Sequence, residues 1–192
     1  KTVLVETKDK EGRLPSVYID NIEATYEATK HLLDKGIKNI AFIGVDKSSA
    51  NAWGDRYIGY EKALNEAGIT VDEDLVYFEG LKVKSGYVAS EKFLASGKNF
   101  DGIICASDEI AMGAINGLRE KGVNTPEDVS VIGFNDNVVA SYFYPKLTTV
   151  KQPSYDMGSV AMRMLIKILN NKPLEKAEFI LKHELIERES CK

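Results

Sequence analysis

The sequence is poor in the residues that build metal sites and disulfide frameworks. Its 192 residues include two cysteines and two histidines. Cys105 lies in an apolar run and Cys191 lies next to the last residue, so the pair has neither a metal-binding spacing nor a disulfide pattern. His31 is expected within a helix and His183 within a strand, as packing or surface residues. We therefore predict no metal and no cofactor, and a reducing compartment such as the cytoplasm.

Long apolar runs, a leader segment and positive charge are also lacking. No run approaches 18 apolar residues, which argues against a membrane span. No signal peptide opens the chain, but it begins at Lys1 without an initiator methionine, so the native protein is expected to extend further. The formal net charge of -4 argues against nucleic-acid binding by this segment alone, because phosphate binding needs a basic face.

The common catalytic motifs are missing as well. The sequence contains no Gly-x-Ser-x-Gly elbow, no glycine-rich phosphate loop and no histidine pair at metal spacing. Without a nucleophile and base pair, the sequence predicts a binding protein rather than an enzyme.

What the chain does contain is a regular alternation of apolar strands and amphipathic helices. It is 44% hydrophobic and 28% charged, which is ordinary for a globular protein. Helices of 11 to 15 residues separate the strands, and this spacing predicts βαβ units with mainly parallel sheets. The predicted strands include 16–20, 39–45, 101–107, 128–134, 146–150 and a last strand at 178–188.

Polar residues follow several of these strands, where open parallel sheets bind ligands. Carboxylates and amides can bind hydroxyl groups, an arginine can donate hydrogen bonds to a ring oxygen or a carboxylate, and a tryptophan can stack on the face of a ring. A hydroxylated small molecule is thus the expected ligand. Alternatively, the acidic and serine residues are helix caps, and the tryptophan is an ordinary lid residue. The candidate residues are Asp20, Trp53, Arg56, Ser107, Asp108, Asn135 and Asp136.

The helix predicted after Pro153 carries two apolar stripes where a packed helix needs only one. Its core face follows the helical repeat through Met157, Val160, Ala161, Met164, Leu165, Ile168 and Leu169. The second stripe is explained by burial on both sides, by scattered exposed residues, or by a docking surface. That stripe consists of Tyr155, Ser159, Met162 and Ile166, flanked by Asp156, Arg163 and Lys167.

Segments 56–64, 106–134 and 145–153, which appear in this order, resemble the LacI/GalR family of bacterial transcription regulators. The resemblance runs through essentially the whole chain. It implies an α/β, periplasmic-binding-protein-like core with two three-layer αβα lobes and mainly parallel sheets. It also implies a homodimer and an effector that controls DNA binding. An exported sugar-binding protein of the same fold is the alternative.

The resemblance further predicts how the chain divides. Residues 1–37 and 153–175 would form an incomplete N-terminal lobe, and residues 38–152 and 176–192 the C-terminal lobe. The family's helix-turn-helix headpiece has no counterpart in this sequence, so DNA contact is expected only through a segment outside it.

Within the family, segment 153–167 is most similar to the catabolite control protein A branch. That branch senses the serine-phosphorylated phosphocarrier protein, and its docking residues map onto Tyr155, Asp156, Arg163 and Arg188.

Three departures leave the effector open between this protein and a sugar or sugar phosphate. A second arginine of the branch is Glu184 here, and a negative charge there disfavours phosphoserine. Arg56, which grips sugars in the wider family, is retained. The family's aspartate at the end of the strand 128–134 is Asn135.

Overall fold

The computed structural model describes residues 1–9, 11–49 and 51–192. Lys10, within a loop predicted at 8–15, and Ala50 lie outside the described residues. The chain divides into two compact units. The first unit comprises Lys1–Asp20 and Gln152–His183, and the second comprises Asn21–Lys151 and Glu184–Lys192.

Strands and helices alternate along the chain, as the sequence predicts. Short 3-10 helices at Glu73–Leu75 and Val138–Ser141 complete the set. In chain order the elements are β1 Leu4–Val5, β2 Ser16–Ile19, α1 Asn21–Asp34, β3 Ile40–Ile43, α2 Ala52–Glu66, β4 Val76–Tyr77, α3 Val83–Ala95, β5 Gly102–Cys105, α4 Asp108–Glu120, β6 Ser130–Asn135, β7 Thr148–Lys151, α5 Ser154–Leu169, β8 Glu178–Leu181 and β9 Glu184–Ile186.

The second unit is built on a six-stranded sheet in the order β4-β3-β5-β6-β7-β9. All neighbours are parallel except β7 and β9. Because βαβ crossovers are right-handed, α2 covers one face of this sheet and α3 and α4 cover the other. Strands β3 and β5 are buried along their whole length, as a parallel sheet between two helical layers requires.

Glycines let the helices of each layer approach closely. A Cβ atom at Gly113 of α4 would overlap the carbonyl oxygen of Val83 on α3. A Cβ atom at Gly59 of α2 would likewise overlap the carbonyl oxygen of Ile22 on α1. The α3–α4 and α1–α2 pairs therefore pack backbone against backbone at these glycines, and larger residues at the two positions would push the helices apart.

The first unit contains the parallel sheet β1-β2-β8 and helix α5. Met157, Ala161 and Met164 of α5 are buried and pack with Val17 of β2, in a cluster that Phe179 of β8 also joins. The core face predicted for this helix is therefore confirmed for these three residues, whereas Leu169, predicted for the same face, is 56% exposed.

The mainly parallel α/β fold is confirmed, but the single last strand at 178–188 was wrong. Two strands replace it. β8 runs parallel beside β2 in the first unit, and β9 runs antiparallel beside β7 in the second. The chain passes from one sheet to the other between Leu181 and Glu184.

The contacts also draw the unit boundaries differently from the predicted lobes. Helix α1 groups with the second unit, because it packs along α2 at Gly59. Strand β8 groups with the first unit, because its ladder partner is β2. The predicted ranges placed α1 in the N-terminal lobe and β8 in the C-terminal lobe.

Candidate functional site

Six of the seven predicted cleft residues lie in the second unit, and Asp20 belongs to the first. Trp53 and Arg56 lie in the first turns of α2, which follows β3. Ser107 and Asp108 follow β5, and Asn135 and Asp136 end and follow β6. Since β3, β5 and β6 are parallel, these residues lie at one edge of the sheet, as predicted.

Arg56 is the centre of this group, which we call the Arg56 cluster: Asn21, Trp53, Arg56, Ala106 and Phe134. The Arg56 side chain is fully buried. Its Nε donates to Asn21 Oδ1 at 2.9 Å, and its NH1 donates to the carbonyl oxygen of Ala106 at 2.6 Å. Its guanidinium carbon lies 3.7 Å from the ring centre of Phe134 and 4.4 Å from that of Trp53.

These contacts give Arg56 a structural role that the sequence did not predict. A buried cation is tolerated where hydrogen bonds and aromatic faces replace its water. The arginine joins the ends of β5 and β6 to α2, so it orders the edge of the sheet where a ligand would bind. Its binding of an effector stays a prediction.

Trp53 is held in place by the cap of α2. The side chain of Asn51 accepts hydrogen bonds from the backbone N–H groups of Trp53 at 3.0 Å and Gly54 at 3.2 Å. This cap starts α2 at Ala52. The indole, half-buried against Arg56, is thus positioned by a rigid helix end.

Ser107 is the N-cap of α4, which is the alternative that the sequence left open. Its Oγ accepts a hydrogen bond from the backbone N–H of Ile110 at 3.3 Å. The side chain is 1% exposed, so capping accounts for its position.

Asp108 is the first residue of α4, and its side chain is fully buried. Its Oδ1 accepts from Thr149 Oγ1 at 2.6 Å, and its Oδ2 accepts from the backbone N–H of Asn137 at 2.6 Å. Burial raises the pKa of this carboxyl group to about 6, although both hydrogen bonds favour the charged form. Asp108 therefore connects the start of α4 to Thr149 and Asn137, and it stabilises the candidate site through these two bonds.

Asn135 and Asp136 form a turn with an unusual backbone. Their φ angles are 110° and 56°, a region that residues other than glycine rarely adopt. Such conformations concentrate at functional sites, because the surrounding structure must hold them. Here Arg188 contributes: its NH2 donates to Asp136 Oδ1 at 2.6 Å and its NH1 donates to the carbonyl oxygen of Leu147 at 2.8 Å.

The second stripe of α5 lies at the surface of the first unit. Tyr155 is 87% exposed, Met162 57% and Ile166 49%. Asp156 and Arg163 are exposed beside them, while Ser159 and Lys167 are half-buried. The Lys167 Nζ pairs with Glu175 at 3.1 Å. Arg188, the remaining predicted docking residue, lies in the second unit.

Metal-ligand clusters and membrane-spanning helices are absent from residues 1–9, 11–49 and 51–192. No group of three histidine, cysteine or acidic side chains in these ranges could hold a metal ion. None of the helices there is long and apolar enough to cross a membrane.

Residues 29–191 match the periplasmic binding protein-like domain. The HTH-type transcriptional regulator RegA of Clostridium saccharobutylicum is 64% identical over 190 residues, which are 99% of this chain and 57% of that protein. The crystal structure of the transcription regulator CcpA of Lactococcus lactis has a TM-score of 0.90 and 37% identity, and covers 99% of this chain and 69% of that one.

A third similar structure is a sugar-binding transcriptional regulator (LacI family) of Escherichia coli complexed with phosphate. It has a TM-score of 0.86 and 30% identity, and covers 98% of this chain and 67% of that one. The chain belongs to the LacI family. The predicted resemblance and the periplasmic-binding-protein-like fold are confirmed, and the regulator is favoured over the exported sugar-binding protein.

Proposed function

We propose that this chain is the effector-sensing core of a cytoplasmic transcription regulator. In this proposal the first unit belongs to the N-terminal lobe, and the second contains the C-terminal lobe. Binding of a corepressor or effector favours one of two lobe arrangements. The favoured arrangement determines how tightly a helix-turn-helix headpiece of the complete regulator binds DNA. The net charge of -4 supports a division of labour in which this core senses and another segment binds DNA.

The exposed stripe on α5 is the observation that carries this proposal. Tyr155, Met162 and Ile166 point away from the core that Met157 and Met164 fill. Methionine adapts to a partner surface, and tyrosine supplies contact area with a polar tip. We propose that the serine-phosphorylated phosphocarrier protein docks on this stripe.

Arg163 is the residue to which we assign the phosphoserine. It is exposed beside Met162 and one turn after Ser159, and a guanidinium can bind a phosphate with two parallel hydrogen bonds. The same role is predicted for Arg188, but that guanidinium already binds Asp136 and Leu147. A direct contact by Arg188 would require those bonds to open.

Calorimetric titration of the complete regulator with the serine-phosphorylated phosphocarrier protein tests this docking. We expect saturable binding that Arg163→Ala abolishes and that the unphosphorylated phosphocarrier lacks. Arg13→Ala is the matched control, because Arg13 is a 69% exposed arginine of the same unit with its ion pairs at Asp9 and Glu11. Equal binding by Arg163→Ala and Arg13→Ala would refute the assignment.

A sugar or sugar phosphate at the Arg56 cluster is the second candidate. The stacked Trp53–Arg56 pair and the positive-φ turn at Asn135 favour it, since both resemble a preformed ligand site. This chain contains one tryptophan, so within it the emission of Trp53 reports on this cluster. Titration with glucose and with glucose 6-phosphate should change that emission if the effector is a sugar, and should leave it unchanged if the phosphocarrier protein is the signal.

We further propose that a second copy of the chain covers the segment from Val138 to Tyr144, called here the apolar segment. Val138 is 80% exposed, Tyr142 83% and Tyr144 78%. So many large apolar side chains in a short segment are typical of an interface. Sedimentation of Tyr142→Glu should yield a monomer, whereas Tyr155→Glu, on α5, should leave the dimer intact.

A further inference from the structure

The turn after β6, residues Asn135 to Asn137, is held from two sides by side chains remote in sequence. Its first two residues have φ angles of 110° and 56°. A backbone of this kind persists only where the surroundings over-determine it. The residues that contact the β6 turn are therefore the ones on which its conformation depends.

On one side the turn is held by the buried carboxylate of Asp108. The backbone N–H of Asn137 donates to Asp108 Oδ2 at 2.6 Å. The Asn137 side chain continues this contact, since its Nδ2 donates to Glu109 Oε1 at 2.8 Å. A Cβ at position 133 would lie 2.5 Å from Asp108 Oδ1, so the glycine in β6 makes room for the carboxylate.

On the other side the turn is held by Arg188 and Thr149. Arg188 NH2 donates to Asp136 Oδ1 at 2.6 Å, and the backbone N–H of Arg188 donates to Thr148 Oγ1 at 2.9 Å. Thr149 Oγ1 accepts from the backbone N–H of Asp136 at 3.4 Å and donates to Asp108 Oδ1 at 2.6 Å. One hydroxyl thus joins the two sides into a single hydrogen-bonded network.

The β6 turn also lies along the chain between the Arg56 cluster and the apolar segment. Phe134, immediately before it, stacks on the guanidinium of Arg56. Val138, immediately after it, begins the exposed apolar segment. A displacement of the turn therefore has to move the Arg56 cluster, the apolar segment, or both.

We propose that Asp108 is a positioning residue that couples the Arg56 cluster to the apolar segment. Its carboxylate holds the β6 turn through Asn137 and Thr149, so that a change at Phe134 is transmitted to Val138 as a change in the turn. The functions of the two connected surfaces rest on the proposed function, but the coupling itself is a property of the fold. It makes the self-association surface responsive to the effector side of the sheet.

Hydrogen exchange of the complete regulator without any effector tests the coupling, so its outcome does not depend on the effector's identity. In Asp108→Ala the amides of residues 135–144 should exchange about tenfold faster, because the turn that begins this segment has lost the hydrogen bond from Asn137 to Asp108, and the loss of one hydrogen bond corresponds to roughly that factor. Asp108→Asn should restore most of the slow exchange, since its single amide oxygen can accept from Asn137 in place of the native Oδ2. Thr149→Val should accelerate the same residues by a smaller factor.

The matched control is Asp101→Ala. Asp101 Oδ1 also accepts a backbone N–H, from Asn39 at 2.9 Å, but at the opposite end of the sheet. This variant should leave exchange in 135–144 unchanged. Trp53 emission and the self-association constant should both shift in Asp108→Ala and neither in Asp101→Ala.

The proposal is overturned if exchange in 135–144 is unchanged, or if it rises no more than exchange in β3 and β5, which would mean a general loss of stability. It is also overturned if Trp53 emission shifts while self-association does not. Should Asp108→Ala fail to fold, Thr149→Val decides by the same criteria.

Discussion

The guanidinium carbon of Arg56 lies over the rings of Phe134 and Trp53, 3.7 Å and 4.4 Å from their centres, and no part of the side chain is exposed. The same group donates to Asn21 and to the Ala106 carbonyl. A guanidinium is planar and delocalised, so its faces can stack on aromatic rings while its N–H groups donate hydrogen bonds in the plane. An ammonium group has no such flat face. The residue that the sequence singled out for ligand binding is therefore also part of the protein's interior.

Arg56→Lys should lower the free energy of unfolding by about 3 kcal/mol, because a lysine would leave a buried charge without these partners. Urea denaturation followed by circular dichroism measures this loss. Arg13→Lys, at an arginine that is 69% exposed, should change stability by less than about 0.5 kcal/mol. A loss below about 1 kcal/mol for Arg56→Lys would show that the stacking does not stabilise the fold.

Most of the fold could be predicted because its signals are local. The strands at 39–45, 101–107 and 128–134 are apolar runs that end in polar residues, and helices of regular period separate them. The division of residues 178–188 into β8 and β9 could not be predicted, because the break falls at Lys182 and His183, where no glycine or proline marks the end of a strand. That division depends on which sheet each half pairs with, which is a non-local choice.

The position of the candidate residues at one end of the sheet was predicted, but their contacts were not. Ser107 was recognised as a possible cap from its position before a helix, and it is one. The bond between Asp108 and Thr149 joins residues 41 positions apart, and the stacked pair Arg56 and Phe134 is still further apart in the sequence. Neither leaves a pattern in the sequence. Arg188 was mapped onto the docking residues by resemblance alone, and its bond to Asp136 was not foreseen.

The two stripes of α5 differ in what they contribute to stability. Met164 is 4% exposed and Met162, two residues earlier, is 57% exposed. Met164→Ala should cost about 3 kcal/mol in thermal or urea unfolding, since it removes packing from the core of the first unit. Met162→Ala should change stability by less than about 0.5 kcal/mol while weakening binding of the phosphocarrier protein. A comparable cost at both positions would mean that the second stripe is also packed.

Close helix packing makes a second pair of variants informative. Gly113→Ala should destabilise the protein by about 2 kcal/mol, because its Cβ would overlap the carbonyl oxygen of Val83. Gly158→Ala, on α5, has no heavy atom within 4 Å of the new Cβ, so it should stabilise by up to about 1 kcal/mol through helix propensity alone. Calorimetric melting temperatures should move in opposite directions for the two alanines. A shift of the same sign would show that the α3–α4 pair can separate without cost.

The buried carboxyl of Asp108 predicts how stability changes with pH. Burial raises its pKa to about 6 in the folded protein, above its ordinary value of 3.8. The folded state therefore binds this proton more tightly, and the contribution of Asp108 to stability falls as the pH rises through this window. Two pKa units correspond to about 3 kcal/mol.

Asp108→Asn, which cannot ionise, should gain about that much relative to the native protein between pH 4 and pH 7, as measured by urea denaturation at several pH values. Asp72 is the contrasting control, because its hydrogen bond to Lys98 lowers its pKa. The stability that Asp72 contributes is lost only as the pH falls, so the difference between Asp72→Asn and the native protein should stay constant from pH 5 to pH 7. A constant difference for Asp108→Asn over the wider range would mean that its two hydrogen bonds fully offset its burial.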